Sequence, residues 1–168
     1  FRSISMSEGT VYNLLNKAAN MVLPVYEGIK EEIAKAGTIG TDETGVKVTM
    51  NKFWAWTWQT VQATYITISP SRGFATVIQA FPDGFPHSTL VSDSWGAQLK
   101  TPAKRHQLCL AHLFRELNFF QELYHLPWAK DMKDILSRAI ELKNRMNPRQ
   151  YDQPLEERDA LLDEFDRL

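Results

Sequence analysis

The sequence predicts an α/β fold: a mixed five-stranded sheet with flanking helices, an N-terminal helical lead-in and a C-terminal helical insertion. Three observations predict it. Apolar residues keep a helical period as far as Gly37, and from Thr38 they give way to runs rich in β-branched and aromatic residues. Three such runs succeed one another across the short polar connections Asn51–Lys52 and Val61–Gln62, the pattern of an antiparallel meander. A fourth run, Thr89 to Ser92, is reached only across a helical stretch, which suits a strand parallel to one of the first three.

Taken in order, Ser7 caps a helix and Glu8 stands in its first turn, where the helix dipole favours an acid. Val11, Leu14, Leu15, Ala18 and Val22 recur at i, i+3, i+4 and i+7 and predict one buried face. Pro24 interrupts, and Val25, Ile29 and Ile33 carry a second helical stretch to the Gly37 stop, so that 7–36 are helical. Strands are expected at 39–50, 53–60 and 63–69, then a short helix over 71–81 with Phe74, Val77, Ile78 and Phe81 inward. "PDGFPH" reads as a loop by composition. After the fourth strand come a helical turn at 95–99, a fifth strand at 105–110, and helices over 112–124 and 128–146. The face Ala129, Met132, Ile135, Leu136, Ala139 and Leu142 is amphipathic, and a last helix starts near Pro154. This order of elements is the ribonuclease H-like layout, in which the first and fourth strands are neighbours at the sheet centre. It divides the chain into a helical segment 1–37, a core 38–125 and a helical insertion 126–168.

Composition narrows the function. The chain has 168 residues, 43% hydrophobic and 23% charged, an ordinary globular mix large enough for one core and a small annex. A net charge of −1 advertises no global basic field, so any nucleic-acid surface must be local. The single cysteine, Cys109, excludes an intramolecular disulfide and a Cys-rich zinc module. No apolar run approaches the roughly 20 residues that span a bilayer, and no signal peptide is seen, so a cytoplasmic protein without membrane partners is expected. The chain opens at Phe1 and stops at Leu168 inside a helical pattern, and it reads as a piece of something longer.

Two carboxylates draw the eye. Asp42, in "IGTDETGVKV", and Asp93, in "TLVSDSWG", each stand where an apolar strand turns polar. Acids on neighbouring strands repel unless a cation or a shared proton intervenes. A hard oxygen site of this kind suits Mg²⁺ or Mn²⁺, and two such ions serve phosphodiester displacement. The alternative is that both acids merely cap turns. Trp54, Trp56 and Trp58 alternate on one strand face; they fit a core row buried against helices better than a platform for stacked bases. Arg72, in "SPSRG", stands at a strand-to-helix junction and suits either phosphate or solvent. In "CLAH", Cys109 and His112 make a poor zinc site even with His106, and His112 is either structural or turned toward the acids or a phosphate. The cations of 128–149 are interleaved with acids, which favours a solvated face over DNA contact.

Together, "GTDETG", "FWAWTWQT", "PSRG", "LVSDSWGA" and "CLAHLFREL" resemble the transposases of the insertion-sequence-66 family, bacterial DDE enzymes, in the right order over roughly residues 7–125. The resemblance implies a catalytic domain that binds Mg²⁺ or Mn²⁺, cuts the ends of its mobile element and joins the 3′ hydroxyls to target DNA. It implies catalytic roles for Asp42, Asp93 and His112, with both aspartates as metal ligands, and DNA contact by Arg72 and Arg115. DNA, both element ends and target, is the implied partner in a nucleoid-associated bacterial protein, with self-association left open. The family's third acid is a glutamate in an Asn-rich helical context that is missing here, and Glu156, Glu157 and Glu164 lack that context. The third acid is therefore expected beyond this chain, and the fragment alone is expected to be inactive. Two other classes remain: a non-catalytic DNA-binding or assembly module with a degenerate acid pair, and a metal-dependent nuclease.

Overall fold

The computed structural model describes residues 5–151, 153 and 155–168. The described chain forms two compact units, one ending at Leu108 and the other covering Cys109–Leu168.

The first unit opens with α1 (Glu8–Lys35), whose first turn is capped by the Ser7 side chain accepting from the Thr10 N–H. The expected break at Pro24 does not occur; α1 runs through it. Proline removes one i→i−4 hydrogen bond, and here the Asn20 carbonyl left without it lies on an exposed stretch that water can reach. The expected burial of Val11, Leu14, Leu15, Ala18 and Val22 is also corrected, because all five are exposed. Only the last turns of α1 meet the sheet. Ile33 is fully buried, Ile29 and Tyr26 pack beside it, and the Tyr26 hydroxyl donates to the Ile66 carbonyl at 2.9 Å.

The sheet consists of β1 (Thr38–Val48), β2 (Asn51–Gln59), β3 (Thr64–Ser69), β4 (Phe85–Ser92) and β5 (Ala103–Leu108), in the order β3-β2-β1-β4-β5. The first three strands are antiparallel, β4 is parallel to β1, and β5 is parallel to β4. This is the ribonuclease H-like sheet. Helix α2 (Phe74–Ala80) is shorter than expected, because Ser71 holds the preceding loop open by accepting from the Gly73 N–H. A short helix, α3 (Gly96–Leu99), joins β4 to β5.

One sheet face carries the core. Trp56, Trp58, Ile39, Leu90 and Phe85 are essentially inaccessible and Trp54 is half-buried, so the tryptophan row belongs to the core as the sequence indicated. Trp58 meets Phe81 edge-on at 5.1 Å and stacks on Trp56 at 5.9 Å, aromatic geometries that add to the area they bury.

The expected loop "PDGFPH" needs a second correction, since β4 already begins at Phe85. Burial of the Phe85 ring draws that residue into pairing with Ala103, and the ladder turns irregular between Phe85 and Thr89, where Pro86 has no N–H to donate. Gly84 makes this start. Its φ is +61°, and a Cβ there would stand 2.4 Å from the Pro102 carbonyl oxygen, which already accepts from the Phe85 N–H.

The second unit holds α4 (Leu110–Tyr124), α5 (Pro127–Arg145), a 3₁₀ turn at Pro148–Gln150 and α6 (Glu156–Phe165). Leu110 therefore belongs to a helix that starts two residues before the expected 112, and β5 ends at Leu108 where the strand was expected to reach 110. His125, at φ 52°, ends α4, and Pro127 starts α5. Ala129, Ile135 and Leu142 are buried on the amphipathic α5 face, and Ile135 and Leu142 form a small core with Leu161. Pro154, where the last helix was expected to start, lies outside the described residues. No described helix is long and apolar enough to cross a membrane.

A Gly84→Ala chain is expected to lose at least about 1–2 kcal/mol of stability from the left-handed backbone alone, with more from the clash at Pro102. Urea denaturation of the two proteins, compared at equal slope, checks this.

Candidate active site

The two-residue period of β1 decides which acid faces where. Ile39, Thr41 and Glu43 point into the core, while Asp42 lies on the opposite, accessible face. The β1–β4 ladder pairs Thr38 with Thr89, Ile39 with Leu90 and Gly40 with Val91. Asp42 and Asp93 each come two residues after the last of these pairs. A carboxylate oxygen of one lies within 4.8 Å of a carboxylate oxygen of the other. Asp42 Oδ1 accepts from the Glu43 N–H, and Asp93 Oδ1 accepts from the Trp95 N–H, both at 2.9 Å.

A divalent cation fits this pair. Two oxygens bound to one Mg²⁺ at 2.0–2.1 Å stand up to about 4 Å apart, so a small side-chain rotation brings both onto a single ion. Both donors are hard carboxylate oxygens, the kind Mg²⁺ and Mn²⁺ prefer.

Glu43, the second carboxylate of the "TDET" stretch, for which the sequence offered no role, has a side chain with no solvent exposure. Arg72 Nε donates to its Oε1 at 2.7 Å, and Gln98 Nε2 donates to its Oε2. Burial pushes the Glu43 carboxyl above its usual range; the bond and charge of Arg72 pull the other way, and Asp93 and Asp42 add to the upward push.

Arg72 sits in the loop between β3 and α2 with its guanidinium 3.9 Å from the Trp95 ring and 4.8 Å from the Trp54 ring. Its carbonyl accepts from Trp95 Nε1 at 3.2 Å. The neighbouring Ser71 carbonyl accepts from Trp56 Nε1 at 3.0 Å. Arg72 and the tryptophan row stood out in the sequence, whereas Glu43 and Trp95 were marked only by their nearness to Asp42 and Asp93. Gln98 gave no signal.

Of the remaining candidates, His106 lies on β5 in the first unit and the others lie in the second. His112 is half-buried in the first turn of α4, and Arg115 is exposed one turn later. Cys109 is a half-buried free thiol preceding α4. Among the described residues, neither Cys109 nor His106 belongs to a metal-ligand group. Glu157 pairs with Arg145 at 2.6 Å and Glu164 with Arg138 at 2.5 Å, so two of the three late glutamates are engaged with α5.

A mixed sheet in this strand order, with paired carboxylates where the central parallel ladder ends, defines a ribonuclease H-like domain. The chain belongs to the Transposase IS66 family, whose model matches residues 2–167, and its role is that of a DDE transposase catalytic domain. Among solved structures it is similar to the HTLV-2 integrase catalytic core domain in complex with magnesium. The trimeric form is 14% identical, with 54% of this chain and 75% of that chain covered and a TM-score of 0.36. The dimeric form is 15% identical, with the same shares covered and a TM-score of 0.35. The simian T-cell lymphotropic virus intasome in complex with PP2A regulatory subunit B56 gamma is 14% identical, with 55% and 44% covered and a TM-score of 0.33. No curated protein matches the chain.

A double-mutant cycle on Glu43→Ala and Arg72→Ala is expected to give a coupling of about 1–3 kcal/mol in chemical denaturation. The same cycle on the exposed pair Lys130–Asp134, joined at 2.8 Å, should give a coupling indistinguishable from zero.

Proposed function

We propose that the chain supplies the metal-dependent part of a DNA cleavage and strand-transfer site, with Asp42 and Asp93 holding Mg²⁺ or Mn²⁺. The observation that carries this is the approach of the two carboxylates just past the last pair of the β1–β4 ladder. When bound, the cation neutralises phosphate charge and polarises the phosphorus–oxygen bond. The protein's own contribution is position: one acid on β1 and another just past β4 present negative charge at one place, so that little reorganisation is left for the moment of reaction. In the reaction itself, an oxygen of water, and later a DNA 3′ hydroxyl, forms a bond to phosphorus as the bond to the opposite oxygen breaks. The attacking oxygen loses its proton and the departing one gains a proton. DNA, both element ends and target, is the partner in this scheme. His112 near the scissile phosphate and Arg115 on the DNA backbone complete the proposed set, following the family resemblance.

The third acid of the set lies beyond this chain. Supporting this, Glu157 and Glu164 are committed to arginines of α5, and Glu156 lacks the family's Asn-rich context. Loss of one electrostatic contact to a developing oxyanion costs about 10²–10³ in rate.

The test has two parts. Mn²⁺ binding, followed by the signal of the free ion, should weaken at least about tenfold in Asp42→Ala and in Asp93→Ala; binding untouched by both substitutions would sink the metal site. Incubated with Mn²⁺ and supercoiled DNA, the chain should nick no more than its Asp42→Ala control. Nicking that vanishes in the control would instead bring the third acid inside the chain, with Glu156 the first suspect.

A further inference from the structure

The parallel ladder stops before it reaches the acids. Its last pair is Gly40 with Val91, so no main-chain pairing of β1 with β4 fixes the distance from Asp42 to Asp93. Side chains close that gap from beneath the sheet. Glu43, next to Asp42, accepts from Gln98 on α3, the helix that follows Asp93. It also accepts from Arg72, whose guanidinium lies on the Trp95 ring and whose carbonyl takes the Trp95 Nε1–H. Trp95 in turn donates its main-chain N–H to Asp93. The contacts form a circuit: Asp42 and Glu43, then Arg72, then Trp95, then Asp93.

From this circuit, and resting on the metal site proposed above, we infer that Arg72 is a positioning residue that sets the spacing of the two acids, and that it does not contact DNA. A phosphate-binding arginine turns its guanidinium out to solvent. Arg72 instead spends Nε on a fully buried carboxylate and lays its guanidinium against two indole rings, with its side chain only 34% exposed. Arginine suits such a place because it joins a planar face to a fixed charge, which lysine cannot do. Groups that orient metal ligands from outside typically contribute about 10–100-fold to metal affinity.

The sign of the effect separates positioning from plain charge. Removing a cation beside two carboxylates should, by Coulomb's law alone, tighten Mn²⁺ binding. Loss of positioning should weaken it. In Mn²⁺ titrations of the chain, Arg72→Met is therefore expected to bind about 10–100-fold more weakly, with Arg72→Lys in between. Trp95→Phe, at an exposed position, deletes the indole N–H and part of the ring surface beneath Arg72, and should weaken binding in the same direction. Arg72→Met or Trp95→Phe binding as tightly as the parent, while Asp42→Ala does not, overturns the positioning role.

A second measurement needs no metal. Hydrogen exchange at the Trp95 amide, the donor to Asp93, should quicken in Arg72→Met and in Trp95→Phe while the amides of β2 stay protected. Unchanged exchange at Trp95 overturns the proposal. Should parent and Asp42→Ala bind Mn²⁺ alike, the metal site falls and this exchange result alone decides whether Arg72 positions Asp93. In DNA binding, a salt slope lowered by about one in Arg72→Met, with Mn²⁺ affinity intact, marks a phosphate contact and overturns it as well.

Discussion

Burial of a carboxylate at Glu43 is the constraint around which the first unit is arranged. A strand has only two faces, so an accessible Asp42 forces its neighbour into the core. A charge placed there is costly unless it is paired and hydrogen-bonded. The fold answers with one donor from the β3–α2 loop and one from α3, and both segments are thereby drawn against β1. The loop carrying Arg72 is further fixed by the Trp56 and Trp95 indoles, and the turn after β4 by Asp93 itself. An accessible acid and a buried one are thus two outcomes of one alternation.

The sheet was legible because its signals are local. Period changes at Thr38, short polar connections and a helix before the fourth strand were enough to give the element order, and the ribonuclease H-like layout that this order matches set Asp42 beside Asp93. What escaped was decided by tertiary structure. Arg72 and Glu43 are 29 positions apart, and no spacing rule joins them. An amphipathic period predicts that a face is apolar and not that anything covers it, which is why Val11 to Val22 were misjudged. Pro24 was read by its cost in a buried helix, a cost that water removes in an exposed one. Phe85 went the other way: the turn composition around it hid a ring that the core required.

The second unit is built on weaker terms. Its small apolar core of Ile135, Leu142 and Leu161 is bordered by the exposed ion pairs Arg138–Glu164 and Arg145–Glu157. Exposed pairs of this kind contribute little stability, so α5 and α6 depend mainly on the apolar side chains between them. The lysines and arginines of α5, which the interleaved acids mark in the sequence as a solvated face, are in good part balanced by neighbouring acids, since Lys130, Arg138 and Arg145 all hold carboxylates.

The bare flank of α1 has a consequence for how the chain behaves in solution. Tyr12, Leu15, Met21, Val22 and Val25 each keep more than half of their surface in water. Contiguous apolar exposure favours sticking, and the ordinary counterweight is mutual repulsion between like-charged molecules. A net charge of −1 provides almost none near neutral pH. Colloidal stability is then governed by concentration and by distance from the isoelectric point near 6.5. Moderately alkaline buffer, by building up negative charge, is the condition that keeps these molecules apart.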